Sequence, residues 1–384
     1  MKHFLNTYIL LWCAYSLQGV LYPSGSLTSR ALAFIIIAIS LFFFIEVLLR
    51  YKNNPVLKSL SVLVVVFSIY GVISIAFGNG LSSVPSSSYL KSIYLSLLPV
   101  FVFYSFSVKK IITPRYLVSW LPIFILVAIA THYRYHQEEL LEAMSIGSSR
   151  EEFTNNAGYV FLSLFPIIPM IKKASIRYAV LGFCLAFIIV GMKRGAIVIA
   201  VLSTVYFFIQ SLINSKGVKE RIGVYLLIFV VIVVAVYVFN YYLVNSSFFN
   251  ARLQQTLEGN SSGRDEIYST YLHHFLYNTT GFTFFFGGGA DETLRLWGLR
   301  AHDDWLEIAI NNGLWVVIMY FIYWFYIFRF HNKLDKKSID YAVMSLFIII
   351  FFSRTIISMS YNDITIYASS AFGYELARGV TCSS

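Results

Sequence analysis

Long apolar runs separated by short polar stretches dominate this chain. Most runs are close to the roughly 20 residues that a helix needs to cross a hydrocarbon core. They lack the period-two alternation of membrane barrel strands. Because a backbone in lipid must satisfy its own hydrogen bonds, we expect about twelve transmembrane helices. The runs lie at about 4–22, 31–49, 59–78, 89–107, 116–131, 156–171, 177–192, 195–214, 222–244, 307–328, 340–359 and, most weakly, 364–380.

The composition agrees with this pattern. Of the 384 residues, 58% are hydrophobic and only 12% are charged, about half the charged share of a soluble globular protein. A water-soluble globular fold is therefore excluded, and an all-α polytopic membrane protein is predicted. The first run follows Met1 to His3 with no convincing small-residue cleavage site, so we expect a retained span rather than a signal peptide.

Basic residues indicate how the spans are oriented. Seventeen of the 29 lysines and arginines lie in every second connection, counting the N-terminus. The positive-inside rule then predicts a cytoplasmic N-terminus for a multi-pass inner-membrane protein. Because topology explains most of the formal net charge of +10, that charge does not indicate a nucleic-acid partner.

One outer connection is much longer than most others and divides the chain. We expect transmembrane helices 1–9 in residues 1–244, a large periplasmic loop between helices 9 and 10 in residues 245–306, and helices 10–12 in residues 307–384. The loop is rich in aromatic residues, which argues against disorder. Apolar positions at helical spacing in Arg264–Tyr277 predict an amphipathic helix on the membrane surface, capped at Ser261 or Ser262. Gly287–Gly289 would let the backbone approach another group closely.

Arginine is unevenly distributed between the two predicted sides. The cytoplasmic side has five arginines and twelve lysines, whereas the outer side has two lysines and ten arginines. A guanidinium binds phosphate and carboxylate groups with two parallel hydrogen bonds, which lysine cannot do. We therefore expect an anionic partner on the outer side; the alternative is pairing with outer acids. The outer arginines are at positions 30, 134, 150, 194, 252, 264, 295, 300, 354 and 378.

Neither the cysteines nor the histidines indicate a metal site. Cys13, Cys184 and Cys382 are far apart and form no CxxC pair, so neither a disulfide framework nor a zinc site is supported. His273 and His274 could be combined with His302 and its neighbouring aspartates. Adjacent histidines on a helix point about 100° apart, however, and seldom share a metal. We expect no metal and no other cofactor.

Five short elements follow one another in the second half of the chain: Thr154–Ala157, Lys193–Ala196, Ser262–Arg264, Gly287–Gly289 and His302-Asp303 with Gly313 after it. Their order resembles the region shared by the O-antigen ligase and O-antigen polymerase superfamily, and the resemblance covers about residues 145–320. Two departures weaken the similarity to the ligase branch: Gly313 is followed by Leu-Trp-Val, and Asp303 replaces a commoner asparagine.

The resemblance implies a metal-independent membrane glycosyltransferase of the GT-C type that acts on the periplasmic face. Its donor would be a glycan linked through diphosphate to a polyprenyl lipid. In a polymerase the acceptor is another lipid-linked repeat unit, and in a ligase it is the lipid A–core. We favour the polymerase branch. Membrane lipids are further expected partners, and a chain-length regulator is left open.

The diphosphate leaving group would need fixed positive charge in a poorly solvated site. Arg194 and Arg264 are the first candidates, with Arg252 and Arg300 in reserve. Arg194 could instead anchor a lipid headgroup beside Lys193. Arg264 could instead pair with an adjacent acid in its own helix.

The acceptor hydroxyl would need a base whose pKa is near ambient pH, and His302 fits this requirement. Asp303 or Asp304 could orient the imidazole, as a carboxylate does in a catalytic triad. The alternative is that His302–Trp305 begins a helix, with an aspartate as its N-cap.

The competing functional class is a transporter for the same lipid-linked glycans. A transporter is expected to have polar or proline-broken segments at matched mid-membrane positions of two halves. Pro166 and Pro169 break one span without a counterpart in the other half. The polar residues concentrate on one face instead, which favours an enzyme.

Overall fold

The protein is built from helices. A computed structural model describes residues 1–51, 54–77, 86–146, 156–191, 193–215, 217–245, 254 and 264–381. These residues form helices and one isolated bridge between Gln18 and Tyr22, and they contain no β-sheet. The expected all-α polytopic class is confirmed.

The helices of the described residues range from single turns to long membrane-sized elements. A 3₁₀ helix at Phe165–Met170 and a π-helical turn at His274–Asn278 accompany them. The α-helices are α1 (Lys2–Ser16), α2 (Leu27–Arg50), α3 (Pro55–Phe77), α4 (Ser86–Leu97), α5 (Pro99–Val108), α6 (Pro114–Ile146), α7 (Ala157–Leu162), α8 (Ala174–Val190), α9 (Arg194–Ile213), α10 (Val218–Asn245), α11 (Arg264–His273), α12 (Gly281–Phe286), α13 (Glu292–Trp297), α14 (Asp304–Asn312), α15 (Leu314–His331), α16 (Ile339–Ile357) and α17 (Ile366–Thr381).

Within the described ranges, seven helical stretches are long and apolar enough to cross a membrane. They are Leu27–Arg50, Pro55–Ala76, Ser88–Val108, Pro114–Tyr135, Arg194–Ile213, Leu314–His331 and Ile339–Ile357. The other five runs of the sequence are helical as well, in α1, in α7 with the 3₁₀ helix, and in α8, α10 and α17. A polytopic helical membrane protein is therefore shown, with seven such helices in this part of the chain.

The tenth apolar run begins later than its hydropathy predicts. We expected a span at 307–328, but the long helix α15 begins at Leu314. The residues before it form the separate helix α14, which ends at Gly313 with φ +82°. Polar side chains of α14, including Glu307 and Asn311, are fully buried in a hydrogen-bonded network. A count of apolar residues does not reveal such a break.

One end of the bundle gathers basic residues. Lys109 Nζ lies 2.7 Å from a carboxylate oxygen of Glu46, and Gln210 Nε2 donates to the Lys336 carbonyl at 2.6 Å. Arg378 pairs with Asp340 at 2.6 Å. Arg378, which the charge count places on the outer side, therefore lies at the same end of the bundle as Lys336, which the count places on the cytoplasmic side.

The tightest crossing in the core joins α5 and α17. All residues from Pro99 to Phe106 are buried. At Gly373 a Cβ atom would lie 2.7 Å from the Val100 carbonyl oxygen and 2.9 Å from the Phe103 Cβ. Small residues at such a crossing let two helix backbones approach closely.

Candidate functional site

The candidate site lies at the other end of the bundle, where α14 begins. Asp303 is the N-cap of α14, because its Oδ1 accepts a hydrogen bond from the Leu306 backbone N–H at 2.9 Å. Burial raises the pKa of Asp303 to about 6. The capping role that we held as an alternative is therefore observed. No hydrogen bond joins this carboxylate to the imidazole of His302 in the described structure.

Asp304 fastens α14 to the connection between α16 and α17. Its side chain is fully buried and accepts from Ser360 N at 2.9 Å, Ser360 Oγ at 2.7 Å, Tyr361 N at 3.2 Å and Tyr320 Oη at 2.7 Å. Burial raises the pKa of Asp304 to about 7. With these partners, Asp304 positions the helix and does not orient His302.

Glu307 shapes the loop that precedes α14. Its Oε2 accepts from the Ala301 N–H at 2.7 Å, and its Oε1 accepts from Thr293 Oγ1 at 2.7 Å and from Asn311 Nδ2 at 3.1 Å. Burial raises the pKa of this carboxyl group. These hydrogen bonds hold the backbone at Ala301, the residue before His302.

His302 is held in an uncommon backbone conformation and remains exposed. Its φ is +53°, a left-handed value that few non-glycine residues adopt. The Tyr268 hydroxyl lies 3.2 Å from the His302 carbonyl oxygen and equally far from that of Ile356. The Tyr268 side chain of α11 and the backbone at the end of α16 therefore meet beside this histidine.

Three cations act on the pKa of His302. The protein lowers the pKa of His302 below its ordinary 6.5, first by displacing water from the ring and then through the positive charges of Arg264, Lys193 and Arg300. The imidazole is therefore mainly neutral at pH 7 and can accept a proton. A neutral base thus lies in the electrostatic field of three positive charges.

The first two arginine candidates begin two helices near this point. Arg264 starts α11, and its Nη1 donates to the Ile357 carbonyl at 2.8 Å. Arg194 starts α9, and the next residue, Gly195, packs so tightly that a Cβ atom there would lie 2.7 Å from Ile357 Cγ2. The structure therefore brings the two helix starts together at the end of α16. Lys193, rather than Arg194, is the α9 cation that acts on the pKa of His302.

Of the two reserve candidates, Arg300 and Arg252, the structure describes only Arg300. Arg300 pairs with Asp291 at 3.2 Å, as the alternative of pairing with outer acids predicted. Burial raises the pKa of Asp291, and the charge of Arg300 opposes that rise. Arg252 lies outside the described residues, as do the expected helix caps Ser261 and Ser262.

Sequence analysis did not single out Arg354 and Tyr159. Arg354 is 1% exposed, donates to the Met359 carbonyl at 2.7 Å and pairs with the Asp363 carboxylate. Its guanidinium lies 4.7 Å from the centre of the Tyr159 ring. The Tyr159 hydroxyl is buried without a hydrogen-bond partner, beside Gly195. The only sequence signal was an arginine near the end of an apolar run.

The glycine run approaches the chain's own backbone. Gly288 N and Gly289 N donate to the Ile310 and Asn311 carbonyls, both at 2.9 Å. At Gly287, with φ +72°, a Cβ atom would lie 2.4 Å from the Asn311 carbonyl oxygen. The run therefore closes the C-terminal end of α14, and the close approach that we expected is structural.

The helix predicted at Arg264–Tyr277 is present as α11 and the following π-helical turn. Tyr271 stacks on Trp297 with ring centres 4.1 Å apart, and Phe275 stacks on Phe284 at 4.8 Å. Leu272 and Leu276, however, are exposed apolar residues. The helix itself is therefore present, whereas its amphipathic character and its location on a membrane surface stay predictions.

The arrangement can bind an anion and accept a proton. Two of the cations that act on His302, Arg264 and Lys193, lie at the starts of separate helices that meet at the end of α16, so an anionic group there would contact both helix starts. Within the described ranges, no group of three or more His, Cys, Asp or Glu residues could hold a metal ion.

Comparison with known proteins adds no further assignment to this site. No protein-family model matches the chain, and no curated protein matches it.

Proposed function

We propose that this protein is an O-antigen polymerase-like glycosyltransferase. It would join oligosaccharide repeat units carried on polyprenyl diphosphate, with the loop 245–306 on the periplasmic face of the bacterial inner membrane and twelve helices crossing that membrane. The observation that carries the proposal is that an exposed His302, the Arg264 side chain and the start of α9 lie together at the end of α16. The order of motifs described above supports the choice of superfamily.

The proposed reaction uses the base and the cations together. His302 accepts the proton of the acceptor hydroxyl as its oxygen attacks the anomeric carbon of the donor sugar. The bond between that carbon and the diphosphate oxygen breaks, and the electron pair leaves with the diphosphate. Arg264 and Lys193, with Arg194 beside them, stabilise the negative charge on this leaving group. Asp303 acts through α14, by capping the helix that follows the base.

The near alternative is a ligase, which transfers the lipid-linked glycan to the lipid A–core. The two enzymes differ in acceptor rather than in chemistry, so the same residues would serve both. The distant alternative is a transporter of lipid-linked glycans. In each case the partners are polyprenyl-diphosphate-linked glycan and membrane lipids, and a polymerase can also work with a chain-length regulator.

The test uses a bacterial strain that lacks this gene and is complemented with the wild type, His302→Ala or Arg264→Gln at matched membrane levels. The matched control is His273→Ala, because His273 is an exposed histidine of the same loop. Surface glycan is resolved on a gel. We expect the deletion and both site variants to carry a single repeat unit on the core, and the control to restore the full ladder.

Other outcomes would contradict parts of the proposal. Loss of all core-attached repeats, with long lipid-linked glycan accumulating, identifies a ligase. Accumulation of single lipid-linked units on the cytoplasmic side identifies a transporter. Wild-type ladders from both site variants overturn the site assignment.

A further inference from the structure

An open groove runs between α6 and α8, away from the candidate site. Its volume is about 410 Å³, and its lining is apolar except for one serine. Ligand pockets in proteins typically measure about 300–1,000 Å³, so the groove has room for a chain-like molecule. The lining residues are Ile125, Ser175, Ile176, Ala179, Val180 and Phe183.

The groove lies in the half of the bundle opposite to His302. The helix α9 begins with Arg194 at the site, and α8 ends at Val190, just before it in the chain. The start of α8, where Ser175 and Ile176 line the groove, therefore faces the other end. That end also holds Gln210 of α9 and the Lys336 carbonyl that it contacts.

Two exposed lysines stand at the end of this groove. Lys172 and Lys173 immediately precede α8. Both lie within three residues of Ser175, which lines the groove. No salt bridge in the described structure involves either lysine. The open apolar groove thus begins beside two ammonium groups that pair with no acid of the described residues.

We infer that this groove binds an anionic phospholipid of the leaflet in which Lys172 and Lys173 lie. The phosphate and its headgroup would contact the two ammonium groups and the Ser175 hydroxyl, and one acyl chain would fill the groove. Basic residues at the edge of clefts between membrane helices bind such headgroups. Charge complementarity favours an anionic lipid over a zwitterionic one, and the apolar lining favours a lipid over a soluble anion.

The probe is phosphatidylglycerol, with phosphatidylcholine of identical chains for comparison. Retained lipid is counted by native mass spectrometry of the purified full-length protein after titration of each lipid. The first variant is Lys172→Gln with Lys173→Gln. Its matched control is Lys336→Gln with Lys337→Gln, which removes two exposed lysines from the same end of the bundle. The second variant, Ala179→Phe, fills the groove at an exposed position and retains every charge.

We expect the Lys172/Lys173 variant to bind phosphatidylglycerol about 25-fold more weakly, since each lysine near a membrane surface contributes roughly fivefold. Its binding of phosphatidylcholine should be unchanged. Ala179→Phe should reduce retention of both lipids, and the control should match the wild type.

Two results would overturn the inference. If Ala179→Phe retains phosphatidylglycerol as the wild type does, the acyl chain does not occupy the groove and only surface charge is involved. If the control pair loses as much lipid as the Lys172/Lys173 pair, the charge effect is not local to the groove. The glycan phenotype of the strain is not a readout here, so this test is independent of the proposed function.

Discussion

The pKa of His302 is lowered by burial first and then by the charges of Arg264, Lys193 and Arg300, two of which would bind the substrate. The lower pKa keeps the imidazole neutral at pH 7 but also makes it a weaker base. A bound diphosphate would offset these positive charges and raise the pKa of His302 again. The base would therefore become stronger when the donor is in place, which couples proton transfer to donor binding.

The pH dependence of glycan transfer tests this arrangement. Because the pKa of His302 lies below 6.5 in the free protein, we expect kcat/KM to be constant near pH 7 and to fall as His302 is protonated at lower pH. His302→Gln should lower kcat by about 10²- to 10⁴-fold, the usual contribution of a general base, and should remove this acid limb. Asp303→Asn should retain the limb, although the Asp303 pKa of about 6 lies nearby. A limb that disappears in Asp303→Asn would assign the titration to the aspartate instead.

Removing one cation should move that titration. In Arg264→Gln the loss of a positive charge raises the pKa of His302, so the acid limb should shift to higher pH, and KM for the donor should rise. Arg295→Gln is the control, because Arg295 pairs with Glu292 and does not contribute to the His302 shift. The same limb in Arg264→Gln and the wild type would show that the two side chains are not coupled.

At the scale of elements, the break between α14 and α15 depends on a glycine contact. Gly313 adopts φ +82°, and a Cβ atom there would lie 2.2 Å from the Phe285 carbonyl oxygen. Tyr70 of α3 donates to the neighbouring Phe286 carbonyl at 2.6 Å. These contacts place α12 against the start of α15, so that α14 can turn its polar residues inward instead of continuing the span.

Alanine substitutions at Gly313 and Gly298 distinguish the stability cost of this contact from the cost of a positive φ alone. Gly298 also has a positive φ, of +69°, but a Cβ atom there would meet nothing within 4 Å. Gly298→Ala should therefore cost about 1–2 kcal/mol, the usual left-handed penalty. Gly313→Ala should cost more than about 3 kcal/mol, because backbone atoms must also move. Thermal unfolding in detergent measures both, and equal losses would mean that the contact at Gly313 relaxes without cost.

At the scale of the whole molecule, the polar groups divide between two ends. Paired basic residues such as Lys109 lie at one end, and the His302 cluster lies at the other. If the first end faces the cytoplasm, as the positive-inside rule predicts, the His302 cluster faces the outer side.

Cysteine labelling tests the orientation. Cys13 and Cys184 are buried. Replacement of Cys382 by serine therefore leaves only buried native cysteines, which should react little with the label. In that background, Leu299→Cys places a thiol at an exposed position near the site, and Lys336→Cys places one at the opposite end. A membrane-impermeant maleimide should label the first in intact spheroplasts and the second only after permeabilisation. The reverse pattern would contradict the proposed orientation.

The helical class could be predicted from the sequence. So could two residues of the candidate site, His302 and Arg264, which lie in a polar loop, where an ionisable residue has few structural reasons to occur. Arg354 and Tyr159 were missed because their significance depends on a contact between helices far apart in the chain. The start of α15 was misplaced because burial of Glu307 depends on partners in other elements.

The crossing of α5 and α17 has a consequence for biosynthesis. Helix α5 is buried on all sides, and the surface that receives it at Gly373 is synthesised long after α5 has left the ribosome. Until then, α5 must remain in the lipid or beside the translocon with its packing surface uncovered. The Asn54 side chain donates to the Leu376 carbonyl at 3.2 Å, so it too lacks this hydrogen-bond partner until α17 has been synthesised. A chain truncated before α17 therefore leaves the packing surface of α5 uncovered, and quality-control proteases would encounter an incompletely packed bundle.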